Sequence, residues 1–65
     1  MQADDLRDLR KGLGMSQQEL ADKIGMSRKA ISEMERAAAP IERRTELAVR
    51  YVALLHELGR SLSVS

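Results

Sequence analysis

The segment Gln17–Arg36, QQELADKIGMSRKAISEMER, leaves the chain very few ways to fold. Ser16-Gln17-Gln18-Glu19 has the form of a capping box, serine at the N-cap and glutamate three residues on, and predicts a helix starting at Ser16. Leu20 and Ile24 point that helix inward, and Gly25 ends it. Ser27 is the next N-cap, so only Gly25 and Met26 separate the first helix from the second. A joint this short forces the two helices into direct contact. Ala21 is small where the second helix crosses the first, and Gly25 tolerates the positive φ of the turn. In the second helix Ala30, Ile31 and Met34 mark a buried arc at roughly 100° per residue. Lys29, Ser32, Glu33 and Arg36 lie opposite it, with Arg28 on the flank. Anchoring one side of this helix holds its polar side rigidly outward.

The flanking sequence is helical as well, and no segment sustains the alternation of a strand. Leu6, Leu9 and Leu13 draw one apolar stripe and predict a helix from about Ala3 to Lys11, which Gly12 and Gly14 end. Asp4, Asp5 and Asp8 near its start suit the helix dipole. Ala37–Pro40 breaks the periodicity, and Pro40 suits the first turn of a new helix. That helix is expected from about residue 41 to 58, with Gly59 as its stop and Arg60–Ser65 as a frayed tail rather than a short strand. Ile41, Ala48, Val52 and Leu55 form a stripe able to close the core. Leu47, Tyr51, Leu54 and Leu58 form an adjacent stripe, spaced four, three and four residues apart. This heptad-like seam is expected to be a homodimer interface; the alternative is that both stripes cover the first helix within one monomer.

Composition removes most other chemistries. Sixty-five residues make one domain, here residues 1–65, with little apolar surface to bury. No cysteine is present, so neither a disulfide nor a thiolate metal site can staple the fold; this usage suits a reducing cytoplasm. The single histidine, His56, falls on the polar margin of the last helix and reads as a surface residue, and no metal or other cofactor is expected. No paired carboxylates, nucleophile–base set or glycine-rich phosphate loop proposes catalysis. No apolar run is long enough to span a membrane, and residues 1–11 are too acidic and polar for a signal peptide. The net charge is only +1, so nucleic-acid binding has to be argued from distribution. Bases recur at Arg10–Lys11, Arg28–Lys29, Arg36 and Arg43–Arg44.

From Leu6 to about Leu55 the chain resembles the lambda-repressor/Cro-like (XRE) helix-turn-helix family. LRDLRKGLGMSQQELADKIGMSRKAISEMER is similar to that family's first three helices, with the motif proper at residues 17–36. The resemblance implies an all-α, compact four-helix DNA-binding domain, here with a long C-terminal helix. It implies that Arg28 and Lys29 reach base edges first, and Ser32 and Glu33 one turn further on. For Glu33, four residues after Lys29, a surface ion pair is an equal alternative. Gln17 is similar to a family glutamine that touches phosphate and supports base contacts. Ser16, Ser27, Arg36 and Arg43 are further phosphate candidates. Arg10 and Glu35 match a pair that ties the first helix to the third, the arginine near a phosphate. Their places beside the two apolar stripes agree. Two departures stand out. Ala37-Ala38-Ala39 replaces a loop that is usually longer and polar, and one long helix replaces the usual short fourth and fifth.

The function expected on these grounds is sequence-specific binding of double-stranded DNA at an inverted-repeat operator, by a homodimeric repressor that controls its own promoter. Two alternatives stay open. One is an antitoxin or adaptor that engages a protein partner through the fourth helix or the tail. The other is an activator or restriction–modification controller with the same DNA chemistry.

Overall fold

The computed structural model describes residues 1–63, and side chains through residue 60. Four helices follow one another: α1 (Ala3–Gly12), α2 (Gln17–Ile24), α3 (Arg28–Glu35) and α4 (Arg43–Ser63). No strand occurs among the described residues. The fold is all-α among the described residues, with the four helices expected from the sequence.

Local chemistry accounts for most helix ends. At α2 the Ser16 hydroxyl accepts from the Glu19 amide at 3.1 Å, and the Glu19 carboxylate accepts from the Ser16 amide at 3.0 Å. Both halves of the capping box are therefore made. At α3 the Ser27 hydroxyl accepts from the Ala30 amide at 3.1 Å. At α1 the Asp5 carboxylate accepts from the Gln2 amide at 3.0 Å.

The first three helices close by the same turn. Met15 N–H donates to Arg10 C=O, Met26 N–H to Ala21 C=O, and Ala38 N–H to Glu33 C=O. Each is the long return bond of a Schellman motif, which places the preceding residue in the left-handed region. Those residues are Gly14 (φ 70°), Gly25 (φ 71°) and Ala37 (φ 59°). Gly12 is not a breaker but the last residue of α1. Ala37 carries a Cβ in a conformation that costs an L-residue about 1 kcal/mol.

The core consists of Leu6, Leu20, Ala21, Ile31, Met34, Val49 and Val52, one apolar face from each helix. Ala21 is fully buried where α2 and α3 cross, as its size predicts. Leu9, Leu13, Ile24, Met26 and Ile41 pack around this centre, half-buried. The Met1 α-amino group donates to Glu46 at 3.0 Å and ties the start of the described chain to α4.

The last helix departs from expectation at both ends. It begins at Arg43, not at residue 41, because Ile41 turns into the core and the Glu42 carbonyl accepts the Glu46 amide at 2.9 Å. Pro40 therefore precedes the helix. The helix then passes through Gly59, which carries no left-handed φ, and continues to Ser63. A lone glycine in a helix costs about 1 kcal/mol relative to alanine but does not by itself terminate it. Residues 60–63 are thus helical rather than frayed, and residues 64 and 65 lie outside the described residues. The inward face of α4 is Thr45, Val49 and Val52, and it packs chiefly on α2. Leu55, expected in the core stripe, is 50% exposed because the helical body ends below it. Residues 54–60 are all exposed, and the molecule measures 42 × 19 × 19 Å.

Candidate nucleic-acid interface

The candidate interface rests on a buried polar brace. Arg10 Nε donates to Glu35 Oε2 at 2.6 Å and Arg10 Nη2 to Glu35 Oε1 at 3.0 Å, a two-pronged pair between α1 and α3. Arg10 Nη1 donates to the Met15 carbonyl at 2.9 Å, just before α2. Gln17 Nε2, in the first turn of α2, donates to the same Glu35 Oε1 at 3.3 Å. One carboxylate thereby joins three helices. The Arg10 and Glu35 side chains are only 12% and 4% exposed. Burial pushes the Glu35 carboxyl up, but the hydrogen bonds from Arg10 and Gln17, with the charges of Arg10 and Arg7, outweigh it. Its pKa therefore lies below the ordinary carboxylate value. Arg10 is held further above its ordinary value, mainly by the hydrogen bond to Glu35 and against the cost of desolvation.

The brace decides which side of α3 faces out. Ile31, Met34 and Glu35 are buried. At about 100° per residue the opposite arc holds Lys29, Glu33 and Arg36, with Ser32 and Arg28 on its flanks. Arg28, Lys29 and Arg36 are exposed, and Ser32 and Glu33 are half-buried. Arg43, the first residue of α4, is exposed as well. No ion pair engages Arg28, Lys29, Arg36 or Arg43 among the described residues, and Lys29 and Glu33 do not pair. Elsewhere the surface arginines are neutralised: Arg7 by Asp4, Arg44 by Glu42 and Arg50 by Glu46. Arg28, Lys29, Arg36 and Arg43 are thus not neutralised within the fold among the described residues.

The remaining sequence candidates divide by geometry. The Ser16 and Ser27 hydroxyls are exposed caps, each already accepting a backbone N–H. Gln17 is half-buried and oriented by Glu35. Arg10 spends three of its five N–H donors inside the fold. Sequence reasoning missed the Gln17–Glu35 contact and the Arg10–Met15 bond. The first could have been sought from the position of Gln17 at the mouth of α2; the second has no side-chain signal at Met15.

The family profile described as helix-turn-helix matches residues 6–48, well over half of the chain. The chain belongs to the lambda-repressor-like (XRE) helix-turn-helix family. It is a DNA-binding helix-turn-helix regulator. The match ends at Ala48, so α4 beyond that residue lies outside it. Comparison with curated proteins and with solved structures gave no significant match. Among the described residues, no helix is long and apolar enough to cross a membrane, and no group of His, Cys, Asp or Glu is arranged to hold a metal ion.

Proposed function

We propose that the protein is a homodimeric, sequence-specific repressor that occupies an inverted-repeat operator and excludes polymerase from its own promoter. The observation that carries this reading is the exposed side of α3 and its C-cap: Lys29 and Arg36 on the outer arc and Arg28 on its flank, exposed and without ion pairs among the described residues, on a helix clamped by Arg10, Gln17 and Glu35. A rigid ridge of this kind fits a major groove about 12 Å wide. Arg28 and Lys29 approach base edges, arginine matching guanine O6 and N7, with Ser32 and Glu33 one turn on. Arg36, Arg43, Gln17 and the N-terminal amides behind Ser16 and Ser27 hold phosphates and set the register. Arg10 acts mainly as a positioning residue, its remaining N–H groups directed to a phosphate at the edge of the site.

Two copies related by a twofold axis would set their α3 helices about 34 Å apart, one turn of DNA. The exposed apolar side of α4 supports self-association, with Leu47, Tyr51, Leu54 and Leu58 each between 51% and 60% exposed. The same face favours a second reading, in which α4 docks a protein partner and the domain serves as an antitoxin or adaptor that also contacts DNA.

Selection of bound fragments from random DNA by the purified protein separates the two. An enriched inverted repeat is the expected result. Recovery of no motif would reject autonomous sequence-specific binding and leave the partner-dependent reading.

A further inference from the structure

α4 carries apolar residues on two opposed sides. Thr45, Val49 and Val52 face the body, while Leu47, Tyr51, Leu54 and Leu58 lie roughly half a turn away, exposed. A single small body covers only the first side. The second has the spacing of a coiled-coil seam. It runs onto the part of α4 that projects beyond the core and past the family match.

We propose that this face is filled by α4 of a second copy, running antiparallel, with Tyr51 against Leu54 and Leu47 against Leu58. The inference rests on the dimer reading above and adds its register. In this register the twofold axis crosses near Val52 and Ala53, symmetry repeats both contacts, and every residue of the seam is covered. The flanking positions then fall into complementary pairs. Along one edge Arg50 meets Glu57 of the second copy, opposite charges on two exposed side chains. Arg50 keeps its intrahelical partner Glu46, 3.0 Å away, so two carboxylates flank one guanidinium. Along the other edge Leu55 of the second copy lies over Ala48. Ala48 lines an open cavity of about 420 Å³ together with Ile24 and Met26, half-buried apolar residues beside the α2–α3 turn. This contact gives cover to Leu55, the large apolar residue that the seam itself leaves out. A parallel register lacks these matches: it sets Arg50 beside Leu55 and pairs no opposite charges across the edges.

The chain has no cysteine, so single cysteines report the register directly. Leu47 and Leu58 are eleven residues apart, about 16 Å along a helix. Under mild oxidation, a mixture of Leu47→Cys and a mass-tagged Leu58→Cys is expected to give the mixed disulfide at least tenfold over either self-linked product. Efficient self-linking of Leu47→Cys would overturn the antiparallel register. The charged edge supplies a test with the seam intact. Arg50→Glu is expected to weaken dimerisation about tenfold in sedimentation, and Arg50→Glu/Glu57→Arg to restore it. A double variant no tighter than the single one would overturn the pairing, as would a wild-type chain that stays monomeric at high micromolar concentration. None of these measurements uses DNA. A parallel dimer that selects an inverted repeat would reject the register while retaining the operator reading, whereas an antiparallel dimer that selects no motif would do the reverse.

Discussion

Glu35 Oε1 accepts from Arg10 Nη2 at 3.0 Å and Oε2 from Arg10 Nε at 2.6 Å, so α3 is held by a carboxylate on its own inner margin. Removing one partner of such a pair leaves a poorly solvated charge behind. Glu35→Ala is expected to cost about 3 kcal/mol, a large part of what a domain of this size commands. Arg10→Met/Glu35→Leu, which removes both charges, is expected to recover at least half of that loss. Urea denaturation of the single and double variants measures both. A double variant as unstable as Glu35→Ala would mean that the pair contributes more than the relief of an unpaired charge.

The same carboxylate sets an acid limit. Its folded pKa is depressed, so its contribution to stability is complete above the unfolded-chain value of roughly 4.3 and is lost as pH falls through the folded value. Glu19, held down by the backbone N–H and then the hydroxyl of Ser16, acts in the same direction. So does Glu46, held down by the Met1 amine and then Arg50. Thermal unfolding should vary little with pH near neutrality and then fall steeply below about pH 4. Glu35→Gln should flatten part of that descent. Parallel curves for Glu35→Gln and wild type would assign the acid loss to the other carboxylates.

Ala37 is a mismatch between sequence and backbone. It takes the left-handed place that Gly14 and Gly25 fill in the two earlier helix ends. Ala37→Gly should therefore raise stability by about 1 kcal/mol and leave the fold unchanged. An equal loss, as expected for added chain entropy alone, would show that residue 37 is not left-handed in solution.

The cations without ion pairs among the described residues are expected to differ in what they do for binding. If Arg36 holds a phosphate, Arg36→Ala should weaken binding to all DNA sequences alike. It should also reduce the slope of log K against log salt by about 1 for each protomer bound. An unchanged slope would place Arg36 away from the backbone.

How much of this was legible follows from where each signal resides. The ends of α2 and the start of α3 are written in residues that act on their own neighbours: Ser16 with Glu19, Ser27 with Ala30, and Gly25 at a positive φ. The Arg10–Glu35 contact followed from two apolar stripes with polar neighbours, together with the family resemblance. The limits of α4 were not legible. Pro40 suits a first helical turn, but the burial of Ile41 delays the helix, and nothing forces Gly59 out of it. Leu55 was misplaced because two apolar stripes interleave on one helix, and periodicity does not tell where the body beneath ends. The inward residue Val49 went unnoticed for the same reason. Ala37 gave no sign, because alanine is not a residue that marks a left-handed turn.

The central proposal is that the exposed side of α3 reads bases, beginning with Arg28 on its flank. The most direct measurement is selection from random DNA by the wild-type protein and by Arg28→Ala in parallel, with circular dichroism to establish that the variant is folded. The wild type is expected to enrich an inverted repeat. Arg28→Ala should enrich the same repeat with the preference lost at one symmetric position in each half-site, a change of roughly 1–3 kcal/mol in discrimination there. An identical motif at every position for the two proteins would contradict it.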